Sequence, residues 1–325
     1  MIALGEAFAW LASRLHRLEA ETVRPAAGRV LAEAIPGGPA EKLAAIDGYA
    51  VRAAETEGAS EYAPLPVGGA PIVAGAPLPP GADAVLPLHL LDAGPVALGP
   101  IPPGHGVEPP DTAELPAGTR LRPPHLALLA RRGHDRISVV RKPTVALHVA
   151  GPKHGPDALT AMLVSLIEAE GGQLSASRPD LVLHAGRSGP GPDDEGIARL
   201  DTVFAHGIAI RPGETTGLGL ARGVPCLLLP GDPLACATVF ALLAAPALRR
   251  LGARPEPSPV AAVLTRKITS GLGQLEAVRV RVEDGRATPL STLLSAGAGA
   301  DGLVLAPEGS EGYPAGATVP VHPLP

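Results

Sequence analysis

Two loops in this 325-residue chain have the composition to bind an anion. The first, AGRSGPGPDDE (Ala185–Glu195), places Gly186, Ser188, Gly189 and Gly191 just after an apolar run. The second is the end of LLLPGDP, where Pro230, Gly231, Asp232 and Pro233 follow another apolar run. A Gly-rich turn at the C-terminal end of a parallel strand exposes backbone N–H groups to a phosphate. Asp232 is spaced to N-cap the next helix and Pro233 to be its first residue. Ligands of such sheets bind outside the carboxyl ends of the strands. On spacing alone, plain strand–helix turns remain an open reading, because Gly-rich loops are common. A second kind of chemistry is offered by AIDGYAVRAAET (Ala45–Thr56) and VAGAPLPPGADAVL (Val73–Leu86), each with a carboxylate, Asp47 or Asp83, among small residues, Gly and Pro. Asp before Gly also forms turns, so Asp47 has a structural reading beside the chemical one.

Taken in order, and joined by PAGTRL (Pro116–Leu121), these segments resemble the molybdopterin molybdenumtransferases. These are enzymes related to the C-terminal domain of gephyrin that insert molybdenum into a pterin cofactor. The resemblance runs from about Gly5 to the C-terminus. It implies molybdopterin or its adenylate as substrate, molybdate as the metal source, and Mg²⁺ with a depleted ligand set. It implies a homodimer whose site is completed by the partner's β section, the section that carries Asp47. Other proteins of molybdenum cofactor synthesis are implied as further partners. By resemblance, Asp47 and Asp194 are the candidate catalytic carboxylates. Gly186, Ser188, Gly189, Gly191, Arg211, Gly213, Pro230, Gly231 and Asp232 are the candidate pterin-binding set, and no residue is assigned to a resident metal.

The chain departs from the family pattern at polar positions. Ile46 replaces a Met, and Lys42 and Leu43 replace acidic and amide residues upstream of Asp47. Ala74 replaces the Thr before Gly-Ala-Pro, and Gly151-Pro152-Lys153 stands where Gly-Asp-Glu is usual. In the Gly-rich loop, Pro192 takes the place of one Asp and Asp194 keeps the other. The usual Lys-Pro-Gly-Lys-Pro reads Arg211-Pro212-Gly213-Glu214-Thr215, and the Asn of Pro-Gly-Asn-Pro is Asp232. Two unit charges at about 4 Å interact by roughly 4 kcal/mol at an effective dielectric of 20, so a reversed sign at Glu214 predicts phosphate repulsion. Two functions therefore stand side by side. One is an enzyme that binds adenylated molybdopterin and inserts molybdate. The other is a catalytically impaired, divergent paralogue that carries pterin or cofactor, or partners an active homologue.

Composition narrows the alternatives. A net charge of −5 without a basic run argues against nucleic acid or an anionic membrane as the main partner. The arginine-rich basic set fits a GC-rich bacterial genome. Cys226 and Cys236, the only cysteines, lie in apolar patterns and read as buried thiols. The N-terminus lacks a signal-peptide pattern, and the apolar run Pro233–Leu248 is short and contains Pro246, so the expectation is a cytoplasmic protein.

The elements that position these loops follow from periodicity. Helical spacing predicts helices over Ala7–Leu18, Pro25–Ala34 and Leu121–Arg132. From Thr144, strand and helix patterns alternate, with helices at Asp157–Glu170, near Asp194–Leu200 and at Leu234–Arg250, and strands at Leu181–Ala185, Thr202–Ile210 and Val224–Leu229. Alternation predicts a parallel sheet with helices on both faces. The fold class is multidomain α/β. The patterns give a helical and extended N-terminal section, an inserted β section, an α/β domain (141–252) and a small C-terminal β domain (253–325). The resemblance implies that the N-terminal domain (1–36 and 110–140) is split around the inserted β domain (37–109).

Overall fold

The computed structural model describes residues 1–325 except Pro39, Ala93, 151–156 and 187–195. The chain divides into two compact units, Met1–Glu33 with Gly118–Pro325, and Ala34–Ala117.

In the larger unit a six-stranded sheet is built from Gln173–Leu174, Thr144–Val149, Leu181–Ala185, Val224–Leu229, Gly217–Ala221 and Thr202–His206, in that spatial order. The first four strands run parallel. Gly217–Ala221 is antiparallel to both of its neighbours, so the sheet is mixed at one side. The sequence reading lacked this strand. Its glycines depress strand propensity, yet a Cβ at Gly219 would lie 2.1 Å from the Thr202 carbonyl oxygen, so only glycine fits there. The strand turns into Val224–Leu229 through Arg222 and Gly223, whose φ values of 51° and 77° meet the positive-φ demand of a type I′ hairpin.

Inward-facing residues of the sheet (Val145, Leu181, Leu183, Leu227, Leu229) share one core with three helices. These are Leu4–Ala12, Thr160–Ala169 and the run Pro233–Leu251, which passes through a π turn at Phe240–Ala244. Pro233–Leu251 has the length and apolarity of a membrane-crossing helix, but Phe240, Leu243 and Leu248 are fully buried in this core. Burial of each such side chain contributes about 1.5–3 kcal/mol. The expectation of helices on both faces is not met among the described residues. On the opposite face, with Ala146, Val182, Cys226 and Leu228, the partly buried hydrophobic residues Ile197, Leu200, Ala221 and Val224 pack among the described residues.

The predicted helix over Pro25–Ala34 is extended instead. Gly28 (φ 83°) turns the chain, and Val30 and Leu31 bridge to Arg120 and Val139. The helix at Leu121–Arg132 forms over Pro123–Arg131. Beyond Pro255 the strands close into a ring. Leu275–Glu283, Arg286–Pro289, Val260–Leu264, Thr318–Pro323 and Gly302–Ala306 pair in turn, and the last pairs back to the first. This five-stranded barrel leaves no free edge among its own strands, which removes a site for unwanted pairing.

The smaller unit centres on Gly48–Val51, flanked antiparallel by Gly69–Ile72 and Ala84–Pro87. Val51, Ala53, Leu86 and Ile101 belong to its core.

Candidate functional site

The sheet brings three loop starts to one edge. Val149, Ala185 and Leu229 stand opposite one another in register. The chain then leaves in step, with the Ala150 amide donating to the Ala185 carbonyl (2.8 Å) and the Gly186 amide to the Leu229 carbonyl (3.2 Å). Gly186 has φ 85°, and a Cβ there would lie 2.5 Å from the Ala150 carbonyl oxygen. Close backbone approach therefore dictates glycine. Ser188, Gly189, Gly191 and Asp194, with the replaced positions Pro152, Lys153 and Pro192, lie outside the described residues.

Pro230–Pro233 begins the long helix at the same edge. The Asp232 carboxylate accepts from the Ala235 amide (2.8 Å) and Pro233 opens the first turn. Thr202–His206 reaches this edge too, because two antiparallel steps restore its direction, and His206 pairs with Gly217, which pairs with Leu228. The loop that follows contains Arg211, joined to Pro212 by a cis peptide bond, and Gly213. Gly213 has φ 134°, and a Cβ there would lie 2.7 Å from a Val239 methyl, so this glycine seats the loop against the long helix.

Glu214 does not stand beside this loop as a free negative charge. Its carboxylate accepts from the Gly213 amide (3.0 Å) and from Arg211 Nε (3.1 Å). Burial opposes its ionisation, but backbone N–H groups and Arg211 outweigh that and hold its pKa below the ordinary glutamate value.

Two residues of the barrel strand Leu275–Glu283 complete the arrangement, and the sequence reading missed both. Glu276 pairs in register with Arg211. Burial raises its pKa, Arg211 opposes the rise, and Glu214 adds to it. Arg279 is 7% exposed and donates to Thr238 Oγ1 (2.8 Å) and to the Leu234 carbonyl (2.8 Å), fastening the start of the long helix to the barrel. Burial lowers its pKa, and Asp232 acts in the opposite direction. Glu214 is the charge expected to repel a phosphate, and Asp232 is a second carboxylate at these loops. Glu214 is ion-paired with Arg211 and Asp232 acts on Arg279, while Glu276 adds a third carboxylate beside Arg211. No sequence signal marks Arg279, because its partners lie more than 40 residues away.

Asp47 and Asp83 belong to the smaller unit. Asp47 is exposed and accepts from the Ala74 amide (2.8 Å), while Asp83 accepts from the Ala53 amide (2.7 Å). Gly48 is dictated by sterics, since a Cβ would lie 2.1 Å from the Leu86 carbonyl oxygen. Among the described residues no three His, Cys, Asp or Glu side chains gather into a metal-binding cluster. Cys226 and Cys236 are free and buried, and burial pushes both thiols up to about 12, which leaves them unreactive.

Known proteins share this architecture. The MoeA N-terminal region (domain I and II) matches residues 2–133, and the MoeA C-terminal region (domain IV) matches residues 261–324. A molybdopterin biosynthesis protein of Methanocaldococcus jannaschii is 35% identical over 134 residues, which cover 40% of this chain and 32% of that relative's length. The molybdopterin molybdenumtransferase of Bacillus subtilis is 26% identical, covering 87% of this chain and 84% of that one. The crystal structure of a molybdopterin biosynthesis MoeA protein from Pyrococcus horikoshii superimposes with a TM-score of 0.73 at 25% identity, over 98% of each chain. With both terminal regions matched and the whole architecture shared, the chain belongs to the MoeA family.

Proposed function

We propose that this chain performs the metal-insertion step of molybdenum cofactor biosynthesis, binding molybdopterin or its adenylate and taking up molybdate. The family membership supports the pathway. The observation that carries the site is the shared edge, where Ala150, Gly186 and Pro230 follow three strands in register and Arg211 lies in a loop seated on the same helix. In this reading backbone amides of the Gly186 and Pro230–Pro233 loops receive phosphate oxygens. Arg211, whose side chain is 57% exposed, supplies a cation. Asp47 is the carboxylate that acts on the metal side. The working unit is a homodimer in the cytoplasm.

The pairing of Glu214 with Arg211 favours the active reading over an impaired carrier, because it offsets the repulsion expected at Glu214 within the protein. Complementation of a strain lacking its insertion enzyme tests this, with growth on a molybdoenzyme-dependent substrate as the readout. Growth restored by the chain and lost in Asp47→Asn supports the reading, and failure of a well-expressed chain to restore growth overturns it. Isothermal titration with molybdopterin adenylate is expected to show binding that weakens about tenfold in Arg211→Ala, the scale of one charge-assisted contact. Light scattering is expected to give a dimer at micromolar concentration.

A further inference from the structure

The face of the six-stranded sheet that carries Ala146, Val182 and Cys226 holds a cavity of about 600 Å³. It runs along the face, with Arg178, Pro179 and Arg222 at the end opposite the pterin loops, because they precede the strands Leu181–Ala185 and Val224–Leu229, and with His148 and His184 near the loop end. Its apolar floor includes Ala146, Val182 and Cys226. His148 and His184, register partners on adjacent strands, also line it, with ring centroids 6.5 Å apart. Three exposed arginines, Arg178, Arg199 and Arg222, complete the lining.

Charge is concentrated here against the background of the chain. The protein carries a net charge of −5, whereas this cavity sets three guanidinium groups against one lining carboxylate, Asp201. That carboxylate is engaged by the Arg222 backbone amide at the hairpin turn, and among the described residues none of the three guanidinium groups makes an ion pair. Exposed arginines that converge on a floor of small apolar side chains and imidazole rings match a ligand with a planar body and a short polyanionic arm. The volume suits a mononucleotide-sized molecule. Imidazole faces accept a stacked base, and guanidinium groups accept phosphate oxygens in bidentate fashion.

We propose that this face binds a nucleoside polyphosphate, with the base against His148 and the phosphates on Arg178, Arg199 and Arg222. The arginine cluster stands at the end of the sheet away from the pterin loops, and the proposal stands whether or not the function proposed above holds.

Isothermal titration of the full chain with ATP, adenosine and inorganic triphosphate tests it. Arg178 and Arg222 both have φ 51°, a conformation that Asn tolerates, so the variant is Arg178→Asn/Arg199→Ala/Arg222→Asn. The expected result is ATP binding with one site per chain, weakened at least about 100-fold in this variant and unchanged in Arg211→Ala. His148→Ala is expected to weaken ATP about tenfold while leaving triphosphate unchanged, as loss of stacking requires. Circular dichroism and the melting transition of the variants check that they fold. Absence of ATP binding at millimolar concentration overturns the proposal. So does binding abolished by Arg211→Ala but kept in the triple variant, which would place ATP at the pterin loops. Triphosphate binding as tight as ATP overturns the base subsite.

Discussion

Arg249 and Arg211 are each paired with a glutamate, yet their surroundings differ. Arg249 lies on the long helix and its side chain is 10% exposed. It grips Glu170 (6% exposed) through Nε at 2.8 Å and through Nη2, and holds Glu256 at 2.9 Å. Arg254 adds a second guanidinium 3.6 Å from Glu170. The cluster joins the end of Thr160–Ala169 to the end of the long helix. Arg211 and Glu214 sit at 57% and 37% exposure, three residues apart in one loop. A closed, dry pair whose partners come from distant elements is a joint, and breaking one side strands a buried charge. An open, wet pair within one loop contributes little to stability and can exchange its partner for a ligand.

The largest predicted effect tests the joint. Glu170→Ala is expected to cost about 3–5 kcal/mol, because it leaves Arg249 and Arg254 without their buried carboxylate. Chemical denaturation measures it, and a loss under 1 kcal/mol would show that the pair is not a joint.

A second closed cluster sharpens the same contrast. Asp180 accepts from Arg141 Nη1 and Nη2 (3.0 and 2.8 Å) and from the amide and hydroxyl of Thr144 (2.7 Å each). Burial opposes its charge, but these donors outweigh burial and hold the carboxyl below the ordinary aspartate value. A depressed carboxyl pKa adds stability that is present above about pH 4 and is lost as pH falls through the folded-state value. Asp180→Asn is expected to cost about 1.5–3 kcal/mol at pH 7 and to flatten the fall in stability below about pH 4. Denaturation across pH 2–7 (approximately) would expose an unchanged slope, which would rule the cluster out as the source.

Smaller effects belong to the open region. Asp232→Ala is expected to cost about 1 kcal/mol through loss of the N-cap, measured by thermal melting. Glu214→Gln should change stability by less than about 1 kcal/mol, since its pair is exposed. The same change should strengthen binding of a pterin phosphate, because Arg211 is released from its carboxylate. A large destabilisation by Glu214→Gln would move this pair into the class of joints.

How legible each feature was depended on how far apart its parts lie in the chain. The order of strands and helices from Thr144 onward, the strand Val224–Leu229, and the cap at Asp232 were readable, because periodicity and capping act within one or two turns. The strand Gly217–Ala221 was not, since its glycines are dictated by a neighbouring backbone that the local pattern does not contain. Nothing near Arg249 in the chain marks its burial against Glu170, 79 residues away.

By itself, then, the sequence determined most of the order of strands and helices from Thr144 onward, the two loops with anion-binding composition and the family they resemble. Local propensity and turn chemistry suffice for these. Only the tertiary structure decided that the C-terminal strands close into a barrel, that Arg279 and Glu276 join the long helix and the Arg211 loop, and that Glu214 folds onto its own loop instead of facing a ligand. It also decided that Arg178, Arg199 and Arg222 line one cavity on a face of the sheet. Each of these rests on side chains brought together across tens of residues. Their energies depend on burial and on which charges meet, and neither is encoded in any single stretch of the chain.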